Sequence, residues 1–484
     1  MSDQKSFPTD SKYADFHVTA TAASSLRNAY ITDGRTWLRG LGQARGIPMG
    51  KRTATAALVL LASLAWAQQQ AIDLQLASQY FAEMKAASGR DAGHLWGHQL
   101  YGPMLFVDPD TRFAVANRQD TERKLTARGD LFTGTVPEEL GAANTAVKWA
   151  GVEWTMVMWP LPEYRRDRIS RMAHECFHRI QPQLGFQAMG EGDVPNSQLD
   201  TRDGRIWLQL ELRALERALW ANGSGRRQAI ADALYFRGYR RSLFSDSGTR
   251  ENALEMNEGL AEYTGVTVAA QSPGEVMSEA EVTLHLAPYR GSFVRSFAYV
   301  TGPAYGYLLD QRGQSWRSRL QTGSDLAELV RTSYQLPPLT VNQAEAMRRA
   351  QDYDGDDIIA LENERDLHQK KAIADAKARY VDGPVLILPL SPGVRYTFEP
   401  NNVVALDANS AVYLATQITD EWGVLRAEKG ALLLRDKDGQ LLRAQVPAPA
   451  NANSLQGDGW ILDLRPDWQI KKGTRAGDFT VLRH

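Results

Sequence analysis

The spacing of apolar residues changes along the chain. From Gln68 to Gly89, the segment AIDLQLASQYFAEMKAASG sets its larger apolar residues on one side of a helix. These residues are Ile72, Leu76, Tyr80, Phe81 and Met84. Short strand-type runs follow, separated by turn residues: PMLFVD, RFAVAN, DLFTGTV, AVKWAG and EWTMVMW. Residues 68–162 are therefore predicted to form a helix and then a sheet of about five strands.

After Pro160 the pattern becomes that of helices. The segment EYRRDRISRMAHECFHRIQPQLG predicts a helix that ends at Pro182 or Gly185, because proline lacks the amide hydrogen that a continuing helix needs. Further helices are predicted at 202–222, 225–243, 249–270, 295–312, 324–333, 341–350 and 356–380. Residues 163–380 are thus expected to be mostly helical.

From residue 381 the chain returns to short strand-type runs. They include GPVLILPL, RYTFEP, AVYLATQI, WGVLRAEKGALLLRD, LLRAQVP, GWILDLRP and FTVLRH, with turn residues between them. This pattern predicts a separate all-β domain over 381–484. The expected fold class is α+β: one domain over 68–380, with a mixed β-sheet subdomain and a helical subdomain, and then the β domain.

Charge and cysteine content narrow the function classes. The 484 residues carry a formal net charge of −2 and no basic run, which argues against nucleic acid as the main partner. The single cysteine, Cys176, excludes an intramolecular disulfide and a cysteine-based zinc cluster.

Residues 49–67 have the layout of a secretory signal peptide. MGKRTATAALVLLASLAWA has a basic start, an apolar run and a small-x-small end before Gln68. We expect export to the bacterial periplasm or the extracellular space, without stable membrane insertion after cleavage. Residues 1–48 are then a wrongly assigned extension with Met49 as the true start; a genuine extension before an anchor is the alternative.

The segment HECFH holds the strongest chemical signal. His174 and His178 lie four residues apart, about 40° in helical projection, so both imidazoles can face one point. A hydrolytic zinc takes three protein ligands and a water whose pKa falls to about 7. The motif supplies two ligands, and Glu175 supplies a general base. The alternative is an amphipathic helix that carries two histidines and a glutamate by chance.

A third ligand is available in LEMNEGLAEYTG. Glu258 lies on a predicted helix 80 residues beyond His178, and Glu262 lies one turn further on the same side. Glu262 is placed to accept a hydrogen bond from the free ring N–H of a ligand histidine. An amphipathic helix with exposed acids is the alternative, although Leu254, Leu260 and Ala261 make the surroundings apolar.

H-E-x-x-H followed by N-E-x-x-A-E resembles the gluzincin metallopeptidases, the clan of thermolysin and aminopeptidase N. The resemblance implies a zincin-like fold, one Zn²⁺ per chain and a peptide or protein substrate. It assigns ligand roles to His174, His178 and Glu258, the base to Glu175, and supporting places near the metal to Asn257 and Glu262. The motifs cover about 150–310 and do not identify a family within the clan; the helices at 202–243 look inserted.

Two further segments extend the resemblance. SFAYVTGPAYGYLLD is similar to the Y-x-x-G segment of aminopeptidase N relatives, and this similarity implies that Tyr299 stabilises the oxyanion. Tyr299 could instead be a packed aromatic residue. Tyr305 is the alternative candidate for the oxyanion role. VEWTMVMWPLP is expected to be an edge strand that pairs with an extended peptide. In aminopeptidases the corresponding strand begins G-x-M-E-N, and its glutamate holds the substrate amine; this chain keeps only the glutamate, Glu153.

Other polar clusters have simpler explanations. His94 and His98 are four residues apart, and a loop packed on the sheet is favoured over a second metal site. The acids of DYDGDD do not fit the EF-hand spacing and favour a helix start. The arginines of YFRGYRRSLF, residues 237, 240 and 241, are expected in solvent, with binding of a substrate carboxylate as the alternative.

The sequence thus predicts an exported zinc-dependent peptidase. Two alternatives stay open: a non-catalytic exported binding protein on a zincin-like scaffold, and a zinc hydrolase that acts on a non-peptide bond. Cleavage specificity, exo- or endopeptidase action, the role of the β domain and the oligomeric state are not indicated. Cys176 is expected to point away from the metal and to be free and buried.

Overall fold

The computed structural model describes residues 72–141, 143–186, 195–397 and 403–484. The predicted extension and signal peptide lie outside these ranges. Within them the chain is mixed α+β with a β-rich C-terminal region, as predicted. In this part of the chain, no helix has the length and apolar character needed to cross a membrane.

The chain divides into two compact units, and each draws on separate stretches of sequence. The first contains the described residues of Met1–Val194 together with Gly248–His285 and Phe297–Pro337. The second contains Pro195–Ser247, Leu286–Ser296 and Pro338–His484. The predicted domains are consecutive instead, and their boundary at 380 stays a prediction.

The first unit contains a six-stranded sheet. Its strands are β1 (Met104–Val107), β2 (Phe113–Ala116), β3 (Thr126–Arg128), β4 (Leu131–Thr135), β5 (Thr145–Trp149) and β6 (Val152–Met158), in the order β3-β4-β2-β1-β6-β5. Five were predicted; β3 was missed because its three residues are all exposed and show no apolar alternation. Strand β6 pairs with β1 in parallel and with β5 in antiparallel fashion. The expectation that β6 is an edge strand is therefore wrong: β5 holds that edge.

The helices of the first unit come before and after the sheet strands along the chain. They are α1 (Leu74–Asp91), α2 (Arg165–Ile180), α5 (Ser247–Leu254), α6 (Leu260–Ala269), α7 (Pro273–Leu286), α8 (Ser296–Asp310) and α9 (Leu326–Ser333), and a π-helical turn, Glu255–Gly259, joins α5 to α6. Between α2 and α5 the chain passes through α3 (Arg202–Trp220) and α4 (Gly223–Ser242) of the second unit. Helix α7 was not predicted, because its buried stripe of Val276, Ala280 and Leu284 is short.

Strand β6 and helix α2 are fastened through alternate residues of the strand. Trp154 and Met156 point into the apolar cluster on one face of the sheet. Thr155 points to the other face and accepts a hydrogen bond of 3.2 Å from Nε of Arg179, at the end of α2. Helix α2 is consequently held against the sheet at its C-terminal end, which carries the H-E-x-x-H motif.

Glycines let the helices of this unit approach closely. A Cβ atom on Gly265 of α6 would lie 2.6 Å from the carbonyl oxygen of Ser170 on α2. A Cβ atom on Gly302 of α8 would lie 2.3 Å from the carbonyl oxygen of Gly259 and 2.5 Å from its Cα atom. A backbone atom, unlike a flexible side chain, cannot move aside cheaply. Helix α6 can therefore approach α2, and α8 can approach the π-helical turn, at these distances only with glycine there.

The second unit combines helices with two β-sheets. Besides α3 and α4, its helices include α10 (Gln343–Ala350) and α11 (Gly355–Lys377), and α11 begins with Asp356 and Asp357 in its first turn, as predicted for a helix start. Arg237 and Arg240 are buried and pair with the buried carboxylate of Glu211. The expectation that these two arginines lie in solvent is wrong: they neutralise a charge inside the unit.

The C-terminal strands form sheets of seven and five strands. Their bounds are β7 (Val385–Pro389), β8 (Arg395–Thr397), β9 (Val403–Asp407), β10 (Ser410–Tyr413), β11 (Thr416–Asp420), β12 (Gly423–Ala427), β13 (Ala431–Arg435), β14 (Leu441–Pro447), β15 (Gln456–Gly457), β16 (Trp460–Leu464), β17 (Trp468–Lys472) and β18 (Phe479–Arg483). The orders are β17-β18-β7-β14-β13-β10-β9 and β15-β16-β12-β11-β8. Both sheets contribute to one apolar core, which includes Leu386, Trp422 and Trp460.

Gly302→Ala is expected to lower the free energy of unfolding by about 1–3 kcal/mol, because the added methyl group overpacks the contact with Gly259. Gly89→Ala is the matched control, since Gly89 also lies inside a helix but a Cβ atom there meets nothing within 4 Å. The control is expected to be neutral or to stabilise by up to about 1 kcal/mol. Urea unfolding of both variants measures the difference; equal effects would contradict the close approach.

Candidate metal centre

Helix α2 places the two histidines of the motif on one face. Its other face carries the buried apolar residues Ile169, Met172, Ala173, Cys176, Phe177 and Ile180. His174 is 7% exposed, and its Nε2 atom lies 3.2 Å from Nε2 of His178. The same ring nitrogen of each imidazole is therefore directed at a common point, as the i, i+4 spacing predicts.

The other ring nitrogen of each histidine has a hydrogen-bond acceptor. Nδ1 of His174 lies 2.9 Å from Oε2 of Glu262, and Nδ1 of His178 lies 3.0 Å from Oε1 of Gln181. A carboxylate and an amide oxygen accept and do not donate, so each Nδ1 carries the hydrogen. In its neutral form each histidine then presents an unprotonated Nε2 lone pair to the shared point.

Glu258 adds a third electron-pair donor. Its Oε2 atom lies 3.4 Å from Nε2 of His174 and 3.6 Å from Nε2 of His178. Glu258 belongs to the π-helical turn, a rare form that often marks functional sites because it shifts side chains relative to the regular helix. Three atoms that accept hydrogen bonds thus converge, an arrangement that a cation stabilises and that is repulsive without one.

The triangle of donor atoms fits a zinc ion. With metal–ligand bonds of about 2.0–2.1 Å in a tetrahedral site, donor atoms are about 3.3 Å apart. The observed separations are 3.2, 3.4 and 3.6 Å. Two imidazoles and one carboxylate are also the ligand set of hydrolytic zinc sites that keep a fourth position for water.

Two neighbours fix the carboxylate of Glu258. The Tyr299 hydroxyl donates to Oε2 at 2.5 Å, and the Asn257 amide donates to Oε1 at 3.1 Å. The Tyr299 ring also stacks on the His174 imidazole, with ring centroids 5.7 Å apart and planes inclined by 5°. Tyr299, and not the fully buried Tyr305, therefore contacts two members of the triangle.

The carboxylates near the two histidines shift the pKa values of His174 and Glu258. Burial lowers the pKa of His174, but hydrogen bonds to Glu258 and Glu262 outweigh it and raise that pKa to about 10. Burial raises the pKa of Glu258, yet the adjacent imidazoles of His174 and His178 hold it well below the usual range. The carboxylates thus favour a positive charge at this point, which a proton on His174 supplies in the absence of metal.

Glu175 lies beside the triangle, and one of its oxygens has no hydrogen-bond partner among the described residues. Its side chain is buried, and none of the described residues donates a hydrogen bond to Oε2. Burial raises the pKa of this carboxyl. One oxygen of Glu175 lies within 4.8 Å of ligand nitrogens of both histidines, yet Glu258 makes the tighter triangle. Glu175 is accordingly adjacent to the candidate metal position without completing it.

The other sequence-predicted residues lie apart from this centre. Glu153 is exposed on β6, opposite Lys148 of β5. Nδ1 of His94 contacts the backbone oxygen of Asp91. Among the described residues, the only group of three or more His, Cys, Asp or Glu side chains close enough to share a metal ion by mutual ligand-atom distance is His174, Glu175 and His178, which does not include His94. Cys176 is free and fully buried, as predicted, and burial raises the pKa of its thiol to about 11.

Gln181 is a site residue that the sequence-based prediction missed. It is 1% exposed, and besides its contact with His178 its Nε2 atom donates to the backbone oxygen of Met256 at 3.4 Å. Its position three residues after His178 was a usable signal, because residues three apart share a helix face.

Comparison of the chain with protein-family models, curated proteins and solved structures finds no match in any of the three. The candidate metal centre is therefore argued from its geometry alone.

Zinc is expected to raise the melting temperature of the chelator-treated protein. At a free zinc concentration one hundred times the dissociation constant, the free energy of unfolding should rise by about 2.7 kcal/mol. His178→Ala and Glu258→Ala are expected to abolish the increase, because each removes a corner of the triangle. His94→Ala, an exposed histidine, is the matched control and should keep it. Thermal unfolding with and without zinc tests this; an unchanged wild type would contradict the site.

Proposed function

We propose that this chain is a zinc-dependent peptidase of gluzincin type with a zincin-like catalytic domain. The observation that carries the proposal is the triangle of Nε2, Nε2 and Oε2 atoms with the unpaired carboxylate oxygen of Glu175 beside it. A buried carboxylate oxygen without a partner among the described residues is costly, and a general base needs such an oxygen to accept a proton.

His174, His178 and Glu258 are the residues that would hold the metal. Bound zinc supplies Lewis acidity, which lowers the pKa of water and polarises a carbonyl group. The hydrogen bonds from His174 to Glu262 and from His178 to Gln181 keep the two Nε2 lone pairs directed at the metal position. Tyr299 and Asn257 donate hydrogen bonds to the carboxylate of Glu258 and fix its orientation.

Glu175 acts as the general base in the proposed reaction. Its free oxygen accepts a proton from the attacking water, and the raised pKa of the buried carboxyl brings it closer to neutral pH, where a proton acceptor is most effective. The same carboxyl then passes the proton to the leaving amine, so it starts and ends the cycle ionised.

Strand β5 supports a peptide as the substrate. It lies at the edge of the sheet and packs against α2, the helix that carries the motif. An edge strand offers backbone N–H and C=O groups with which an extended peptide can pair. Glu153, on the neighbouring β6, stays a predicted contact for a substrate amine, and export stays a prediction from the sequence.

Glu175→Gln is expected to lower kcat for peptide hydrolysis about 10²–10⁴-fold, because the amide cannot accept the proton from water. Zinc binding is expected to be kept, because residue 175 is not one of the three proposed ligands. Hydrolysis of a peptide library and zinc content per chain are measured for wild type and variant. Glu163→Gln, an exposed glutamate, is the control.

The outcomes of that experiment separate the candidate functions. A wild type that binds zinc but hydrolyses no peptide favours the binding protein or a hydrolase of another bond. A wild type without zinc overturns the proposal altogether.

Tyr299→Phe distinguishes two roles of the hydroxyl. If it stabilises the oxyanion, kcat falls about 10²–10³-fold and zinc affinity is kept. If its contact with Glu258 dominates, zinc affinity falls and saturating zinc restores kcat. The 2.5 Å hydrogen bond to the ligand glutamate leads us to expect reduced zinc affinity. Chelator competition alongside kinetics measures both quantities, and an unchanged affinity contradicts this expectation.

A further inference from the structure

Gln181 connects two parts of the metal centre that are far apart in sequence. It follows the last residue of α2, where Pro182 prevents regular continuation and the chain enters a 3₁₀ turn, Gln181–Leu184. Its amide group is buried, with Oε1 at 3.0 Å from Nδ1 of His178 and Nε2 at 3.4 Å from the oxygen of Met256. Met256 lies in the π-helical turn, two residues before Glu258.

The carbonyl of Met256 decides which way the Gln181 amide faces. A backbone oxygen accepts hydrogen bonds only, so the NH₂ group of Gln181 must point to it. The amide oxygen is then left for the ring of His178. An oxygen opposite Nδ1 requires that Nδ1 carry the hydrogen, and in the neutral ring Nε2 is left unprotonated.

We infer that Gln181 is a positioning residue: it transmits the orientation of the Met256 carbonyl to His178 and fixes the tautomer in which Nε2 faces the metal position. The inference rests on the proposed zinc site. The π-helical turn thereby serves the centre twice, since it provides the ligand Glu258 and sets the tautomer of a ligand on another helix.

The two histidines differ in this respect. His174 is oriented by the carboxylate of Glu262, whose side chain is 30% exposed. His178 is oriented by a neutral, buried amide, which has two possible orientations and needs a second contact to choose one. Replacement by glutamate removes that ambiguity, because both carboxylate oxygens accept, although the donor to Met256 is then lost.

The test compares Gln181→Met, Gln181→Glu and the control Gln183→Met, an exposed residue of the same turn. Gln181→Met is expected to weaken zinc binding about 10–100-fold, whereas Gln181→Glu and Gln183→Met keep it within about threefold. Zinc affinity comes from competition with a chromophoric chelator. Thermal unfolding of each metal-free variant shows whether it is folded.

A spectroscopic measurement separates tautomer control from simple packing. In the metal-free protein labelled with ¹⁵N-histidine, the His178 signals, assigned by their loss in His178→Asn, are expected to show hydrogen on Nδ1 in wild type and Gln181→Glu. In Gln181→Met they are expected to shift towards hydrogen on Nε2.

Equal zinc affinity and an unchanged His178 tautomer in Gln181→Met would overturn the inference. Weak zinc binding by Gln181→Glu as well as Gln181→Met would also overturn it, because the acceptor alone would not suffice. A wild type that binds no zinc overturns the proposed function instead, and the ¹⁵N signals still decide whether Gln181 selects the tautomer.

Discussion

The centre depends on forcing three electron-pair donors to within 3.2–3.6 Å of one another. Nothing in these three groups favours that arrangement without a positive charge, so the surrounding fold must impose it. It does so by backbone contacts that only glycine allows, Gly265 against Ser170 and Gly302 against Gly259. The first contact joins α6 to α2, which carries the histidines, and the second joins α8, which carries Tyr299, to the π-helical turn that carries Glu258. Because these contacts are between backbones, the donors cannot separate by a side-chain rotation of their neighbours.

The side chains that contact the three donor residues each make a hydrogen bond to one of them. Glu262 and Gln181 accept from the outer nitrogens of the histidines, and Tyr299 and Asn257 donate to the glutamate. The one exception is Glu175, whose Oε2 atom is buried without a hydrogen-bond partner in the part of the chain that the structure describes, an arrangement that costs free energy. A protein built for stability alone would satisfy or replace that carboxylate. Glu175 differs in this respect from the buried Glu211, whose two carboxylate oxygens pair with Arg237 and Arg240.

Local sequence patterns predicted much of this and missed what depends on tertiary contacts. The i, i+4 spacing of His174 and His178 and the later Glu258 and Glu262 sufficed to nominate residues that the structure brings together. The edge position of β5 was missed because strand order depends on pairing across the sheet, which apolar periodicity does not encode. Gln181 was missed because a glutamine after a helix is usually solvated, and its burial depends on Met256, 75 residues away. The long separation of His178 and Glu258 is explained by Pro195–Ser247, which belongs to the other compact unit.

The discontinuous course of the chain also constrains how this centre arises during synthesis. The sheet of the first unit is complete at Met158, but the unit ends only at Pro337, after two excursions into the second unit. The sheet and α2 therefore leave the ribosome long before α6, which packs against α2, has been made, and a long loop must close before α6 docks. Until then apolar surface and the two histidines remain accessible to other chains, to chaperones and to metals. Assembly of the candidate centre is thus a late event, because the first unit is complete only at Pro337, residue 337 of 484.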